Sequence, residues 1–407
     1  MKILISSCGE GFGHTSRAVA LQRAFSAKEH EVTVACYGSA LERLRSFGIK
    51  TIETFPEAKM VGSKGSFNLA RSFLQTSSTS PDFLRAYLIE RQFITSNKID
   101  AVISDSRFSP LIASYRLQLP AFYLTNQTSF YEFQNNHDQI IKKEETLLQR
   151  LSPTKLARSL RSKANVSHLI SQVINVPLST PFSFCDEILI PDFKPPDTIC
   201  LPILSRRYST RKKTNFMGPI SILSSSQETS SPSWRAQSPR VLVTMGGQAY
   251  RSGLFEKLIS ISRKTRNFDI LISALFAKKN EDYRNVKIRK YIPDLLPYMA
   301  RADILVIPAG HSSIMESIIL AKPALIIPDA NQPEQLSNAK RFVELGLGES
   351  LQISELEKFP EKLKNISDNY SRYRRNLARL SEQAKNGQNG AKNTVRFVEE
   401  FKARTEY

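Results

Sequence analysis

Apolar residues in this chain follow two alternating rhythms. Short uninterrupted runs at Ile3–Ile5, Val32–Cys36, Ala101–Ile103 and Ala121–Leu124 read as strands. Between them apolar positions recur at helical spacing, as around Ala18–Phe25 and Leu41–Phe47. This alternation over residues 1 to about 125 predicts an α/β fold with a parallel sheet. It resumes at Arg240–Gly247, with further strands expected at Ile270–Ile272, Ile304–Ile307 and Ala324–Ile327. Two segments break the pattern. Residues 136–175 read as helical, basic and leucine-punctuated, and residues 205–238, rich in Ser, Arg, Lys and Pro, read as a linker or exposed loop.

Length changes this picture in one respect. The chain has 407 residues, more than one domain usually holds. We expect a first domain over 1–215, a second over 216–387, and a last helix, about 388–405, packing back on the first. No apolar run approaches the roughly 20 residues needed to span a bilayer, and the apolar start is too short for a signal peptide, so a cytoplasmic protein is expected. The four cysteines show no CxxC spacing, so neither disulfides nor structural zinc is expected. A net charge of +19 implies an anionic partner: nucleic acid, a phosphorylated substrate, or the inner membrane leaflet.

Two glycine turns carry the candidate chemistry. Gly9-Glu10-Gly11-Phe12-Gly13-His14-Thr15-Ser16-Arg17 joins the first strand to a helix, and Pro308-Ala309-Gly310-His311-Ser312-Ser313-Ile314-Met315-Glu316 does the same about three hundred residues later. Each presents a helix N-terminus, where free N–H groups and the dipole favour anions or polar oxygens. The first does not complete a dinucleotide GxGxxG, since His14 or Ser16 falls where the third glycine is wanted. His14, at the mouth of its strand, is a candidate base for an acceptor hydroxyl; the alternative is a helix cap. Asp105 ends a later strand and either orients His14 or caps the helix beginning near Phe108. In the second half, the Gly310–Ser313 turn suits a pyrophosphate and Glu316 the two hydroxyls of a ribose. The polar stretch from Pro328 to Ala339, with Gln335 and Asn338, suits sugar hydroxyls, and Gly246-Gly247-Gln248 offers a further phosphate-approaching turn. No DxD and no HExxH is present, so no metal site is expected.

At these residues the chain resembles a glycosyltransferase of the GT-B fold, most closely the MurG-like group of glycosyltransferase family 28. The likeness rests on Gly11 to Arg17, Met245-Gly246-Gly247, Tyr291-Ile292-Pro293, Met299 to Asp303, and the block from Gly310 to Gly346. It implies two Rossmann-like doubly wound domains facing a cleft, with a UDP-sugar on the second. Glu316 would then hold the ribose, Gly310, His311, Ser312 and Ser313 the pyrophosphate, Gly246, Gly247 and Gln248 a phosphate, Gln335 and Asn338 the sugar, and the backbone at Ile292 the base. His14 would be the base, with Gly11, Gly13, Thr15 and Arg17 on the acceptor side. Gln248 and Glu334 depart from the family's usual residues. The expected activity is inverting, metal-independent and cofactor-free transfer of a hexose or N-acetylhexosamine to a lipid-linked or anionic acceptor. Such an acceptor would bring the enzyme to the inner face of the membrane, where Lys155, Arg158, Arg161 and Lys163 are candidate lipid contacts. A UDP-sugar 2-epimerase of the same fold and a non-catalytic nucleic-acid or lipid-binding protein are the alternatives.

Overall fold

The computed structural model describes residues 1–10, 12–57, 62–63, 66–67, 80–128, 180–204, 214–225, 238–246, 251–274, 277, 279–290, 292 and 294–405. The basic segment 136–175 lies outside them.

The first domain is built from strands β1 (Lys2–Ser7), β2 (Glu31–Cys36) and β3 (Thr51–Glu53), a small β4–β5 hairpin (Gly62–Ser63 and Ser66–Phe67), then β6 (Ala101–Asp105), β7 (Ala121–Leu124), β8 (Glu187–Ile190) and β9 (Thr214–Phe216). Apart from the hairpin they form one seven-stranded sheet, ordered β3-β2-β1-β6-β7-β8-β9, with every pair parallel. Ile3, Leu4 and Ile5 are fully buried, as a strand covered on both faces requires. Helices α1 (Phe12–Ser26), α2 (Gly38–Ser46), α3 (Ser80–Asn97) and α4 (Ser109–Leu117) follow or precede these strands.

The second domain repeats the plan. Strands β10 (Arg240–Thr244), β11 (Asp269–Ser273), β12 (Glu281–Asp282), β13 (Val286–Arg289), β14 (Ile304–Pro308), β15 (Ala324–Ile327) and β16 (Gly348–Ser350) are ordered β12-β13-β11-β10-β14-β15-β16, parallel except at the β12 edge. Its helices are α5 (Ser252–Lys264), α6 (Leu296–Arg301), α7 (His311–Ile319), α8 (Pro333–Glu344), α9 (Phe359–Asp368) and α10 (Tyr370–Asn386).

The last helix, α11 (Gly390–Thr405), lies on the first domain, where Ala391, Val395 and Val398 join its core. Phe122 meets Phe397 and Phe401 edge-on, with ring centroids 6.1 and 5.2 Å apart. The stretch expected as a linker needs correction: it contains β9, and Met217 and Ile220 belong to the first core. Serine-rich surroundings mask those apolar positions in an average over composition. The last strand of the first sheet ends at Phe216. Among the described residues no helix is long and apolar enough to cross a membrane.

Each sheet has a switch point, where the strands on either side connect in opposite directions and a crevice opens at their C-terminal ends. In the first sheet it lies between β1 and β6, in the second between β10 and β14. All four strand ends carry residues singled out by sequence.

Candidate active site

From the first sheet, β1 runs into the turn before α1, and β6 ends at Asp105. His14 and Arg17 are three apart on α1 and so share a face, which is turned toward Asp105. His14 Nδ1 lies 3.0 Å from Asp105 Oδ1. Arg17 donates from Nε to Oδ2 at 3.0 Å and from Nη2 to Oδ1 at 2.7 Å. The same Nη2 is 2.8 Å from His14 Nδ1. A guanidinium only donates and a carboxylate only accepts. Nδ1 thus accepts from Arg17 in one tautomer and donates to Asp105 in the other, and the second leaves Nε2 as an acceptor. Burial alone would raise the Asp105 pKa, but Arg17 and His14 outweigh it and hold the carboxyl well below the usual range. The imidazole is 22% exposed.

Asp105 is not a helix cap. Glu57 takes that task for α4, accepting from the backbone N–H of Phe108 at 2.6 Å and of Ser109 at 3.1 Å. Arg17 is likewise a correction: expected toward the acceptor, it is buried and engaged with Asp105 behind His14. Thr15 is buried, and its hydroxyl has no hydrogen-bond partner. Gly11 lies outside the described residues.

From the second sheet, β14 delivers the Gly310 turn. Gly310 is the N-cap of α7 and no side chain caps that helix, so its first-turn N–H groups remain available to a ligand. Gly13 stands directly across the cleft; a Cβ there would come within 2.8 Å of Ser312 Oγ. Ser16 Oγ donates to Glu316 Oε1 at 3.3 Å, bridging α1 and α7. Burial raises the Glu316 pKa to about 7, partly offset by Ser16 and Arg43. Between the domains lies a cleft of about 660 Å³, lined on one side by Gly13, Thr15 and Ser16 and on the other by Gly246, Ser312, Ser313 and Glu316. Gly246 has φ +71°, which favours glycine. Gly247 and Gln248 lie outside the described residues.

Several expected donor contacts are engaged in bracing instead. His311 turns its imidazole away from the cleft, Nε2 lying 3.0 Å from Asp192 Oδ2. Gln335 accepts from the Asp329 N–H at 2.9 Å and donates to Asp329 Oδ2 at 3.1 Å. Asn338 Nδ2 donates to the Ala309 carbonyl at 3.1 Å, fixing the Gly310 turn from behind, while its Oδ1 is buried without a partner. The Ile292 side chain belongs to the core.

Sequence reasoning missed Arg251. Buried, it pairs with Asp329 through Nε–Oδ1 at 2.9 Å and Nη2–Oδ2 at 2.5 Å and donates to the Met245 carbonyl, tying the Gly246 turn to the loop after β15. It also missed Asp192, and Asn126, whose Nδ2 donates across the cleft to Glu334 Oε1 at 2.9 Å. No local spacing marks these residues.

Comparison with known proteins agrees with this architecture. Residues 241–395 match the glycosyltransferase family 28 C-terminal domain, and residues 1–175 match glycosyl transferase family 1. An uncharacterized glycosyltransferase of Methanosarcina acetivorans is 30% identical over 363 residues, covering 87% of this chain and 86% of the relative. The UDP-N-acetylglucosamine–N-acetylmuramyl-(pentapeptide) pyrophosphoryl-undecaprenol N-acetylglucosamine transferase of Streptococcus pneumoniae is 33% identical over 136 residues, 31% of this chain and 38% of that enzyme. Among solved structures, the glycotransferase of kitacinnamycin superposes with a TM-score of 0.65 at 15% identity, covering 98% of both chains. The spinosyn rhamnosyltransferase SpnG complexed with thymidine diphosphate gives 0.64 at 15%, covering 98% of this chain and 100% of that one. The chain belongs to the glycosyltransferases and has the GT-B fold.

Proposed function

We propose that this glycosyltransferase is inverting and metal-independent, moving a hexose or N-acetylhexosamine from a UDP-sugar to a hydroxyl of a lipid-linked or anionic acceptor. The first domain holds the acceptor and the second the donor. The reading rests chiefly on one observation: the His14–Asp105 pair at one switch point stands across a single cleft from the uncapped α7 N-terminus and Glu316 at the other.

The chemistry follows from that arrangement. His14 Nε2 takes the proton of the acceptor hydroxyl as its oxygen attacks the anomeric carbon from the first-domain side. The bond from that carbon to the diphosphate oxygen breaks on the opposite side, which inverts the centre. Asp105 stabilises the imidazolium that forms. The leaving diphosphate gathers charge at the α7 N-terminus, where N–H groups and the dipole receive it, and Glu316 accepts from the ribose hydroxyls. Metal independence is supported by the absence of DxD. Among the described residues, the acid and histidine cluster compact enough for an ion is Asp192, Cys200 and His311. It is buried, and Asp192 already accepts from His311 and from the Cys200 N–H at 2.9 Å.

A lipid-linked or anionic acceptor, and a cytoplasmic enzyme at the inner membrane face, are supported by the net charge of +19 and by the pyrophosphoryl-undecaprenol acceptor named for the pneumococcal relative. The test is incubation with a panel of nucleotide sugars, with and without polyprenyl-phosphate-linked saccharides, following nucleoside diphosphate release and the anomeric configuration of the product. Acceptor-dependent UDP release with inversion is expected. Retention, epimerised donor without transfer, or no release from any UDP-sugar overturns the proposal.

A further inference from the structure

Among the described residues, the cations lining the donor cleft all come from the first domain, the wrong side for a donor held by the second domain alone. From that domain the described lining residues include Thr244, Gly246, Ser312, Ser313, Asp294 and Glu316: two carboxylates and no Lys or Arg. Residues 247–250, next in the sequence after Gly246, include no Lys or Arg either. A nucleoside diphosphate brings about two to three negative charges, whereas a helix N-terminus supplies the equivalent of about +0.5. The compensating charge must come from elsewhere, and the first domain supplies two arginines to the same cleft, Arg23 of α1 and Arg43 of α2.

Their setting suits that task. Arg23 continues the α1 stripe that begins with Gly13 and Ser16, at spacings of three and seven residues, so all three face the cleft. Arg43 is half-buried and near enough to Glu316 to favour its ionised form. One turn on, Phe47 is 41% exposed within the cleft, and the Arg43 guanidinium lies 6.0 Å from its ring centroid. A guanidinium over an aromatic face can still turn N–H groups toward phosphate oxygens.

We propose that Arg43 and Arg23 of the first domain bind the diphosphate of the donor nucleotide, so that donor affinity depends on both domains closing over the cleft. This rests on the donor reading given above. Phosphate recognition is then split between the domains: directional N–H groups come from α7, and full charges come from α1 and α2. Cleavage of the donor adds charge to the diphosphate and tightens the grip of the arginines, so product release requires the domains to part.

The test is titration calorimetry of uridine, UMP and UDP against the wild type, R43Q, R23Q/R43Q and R43K, each first checked for an unchanged ligand-free melting temperature. The wild type should bind UDP more tightly than uridine. In R43Q the UDP affinity should fall about 10- to 100-fold, as expected for a lost hydrogen bond to a charged group, with uridine affinity unchanged. R23Q/R43Q should lose the preference for UDP and the salt dependence of its binding, and R43K should recover part of the loss. A double variant that keeps the wild-type preference overturns this proposal and leaves the donor reading intact. A wild type that binds no UDP overturns both.

Discussion

One oxygen of Asp105 serves two partners at once: Oδ1 accepts from Arg17 Nη2 at 2.7 Å and lies 3.0 Å from His14 Nδ1. Arg17 keeps the carboxylate ionised in a buried place, and base catalysis by Nε2 requires that the carboxylate hold the imidazole proton on Nδ1. The two positions therefore separate in experiment. His14→Ala should lower turnover about 10²–10⁴-fold, the usual contribution of a positioned base, while leaving the Kd for UDP near the wild-type value. Asp105→Asn should also reduce kcat, because an amide can present its NH2 to Nδ1 and favour the unproductive tautomer. Steady-state kinetics with UDP titration checks both. Wild-type kcat in His14→Ala would remove it from catalysis.

Arg17→Ala leaves a buried Asp105 without its counter-charge. Removing one partner of a buried pair costs about 3–5 kcal/mol, so the urea midpoint of this variant should drop markedly. Arg17→Lys keeps the charge but not the two-pronged geometry and should fall between. If Arg17 instead met the acceptor directly, acceptor KM would rise in Arg17→Ala with no change in the urea midpoint.

Glu316 gives the binding its pH dependence. Its folded pKa, raised by burial to about 7, exceeds the ordinary 4.5. Between those values the folded state holds the extra proton, so the ligand-free protein loses stability from this group as pH rises from about 4.5 through 7. The ionised carboxylate accepts from both ribose hydroxyls more strongly than the neutral acid does, so UDP affinity should climb with pH over the same window and level off above it. In Glu316→Gln that climb should vanish, leaving weaker binding that barely changes with pH. Calorimetric titrations between pH 5 and 8 measure it; a wild-type pH profile in the variant would take Glu316 out of the ribose site.

Arg251 is predicted to stabilise the donor loops rather than touch the donor. Arg251→Ala strands buried Asp329, again at a cost of about 3–5 kcal/mol, and frees both the Gly246 turn and the loop carrying Asp329. Thermal melting should show the loss. Saturating UDP should recover part of it, because a ligand selective for the folded state shifts the equilibrium by mass action. Gln335→Ala, which removes a brace on the same Asp329, should show a smaller loss of the same kind.

The central strands of both sheets and the two glycine turns were legible in the sequence. Uninterrupted apolar runs at Ile3–Ile5 and Ile304–Ile307 became the central strands β1 and β14, because burial and strand periodicity are local properties. The pairing of His14 with Asp105 was also within reach, since both sit at strand mouths and ligands gather there in parallel sheets. Only the tertiary structure decided which polar residues face the cleft. Arg17 lies in the same turn as His14 yet is buried, Gln335 and Asn338 brace loops, and Glu316 meets Ser16 across 300 residues. Arg251 and Arg43 carry no local signature, because an arginine's role is set by the charge opposite it, and that charge is brought there by another strand or the other domain. The apolar Met217 and Ile220 vanished in a serine-rich stretch for a related reason: composition averages over neighbours, whereas packing against α11 selects single side chains.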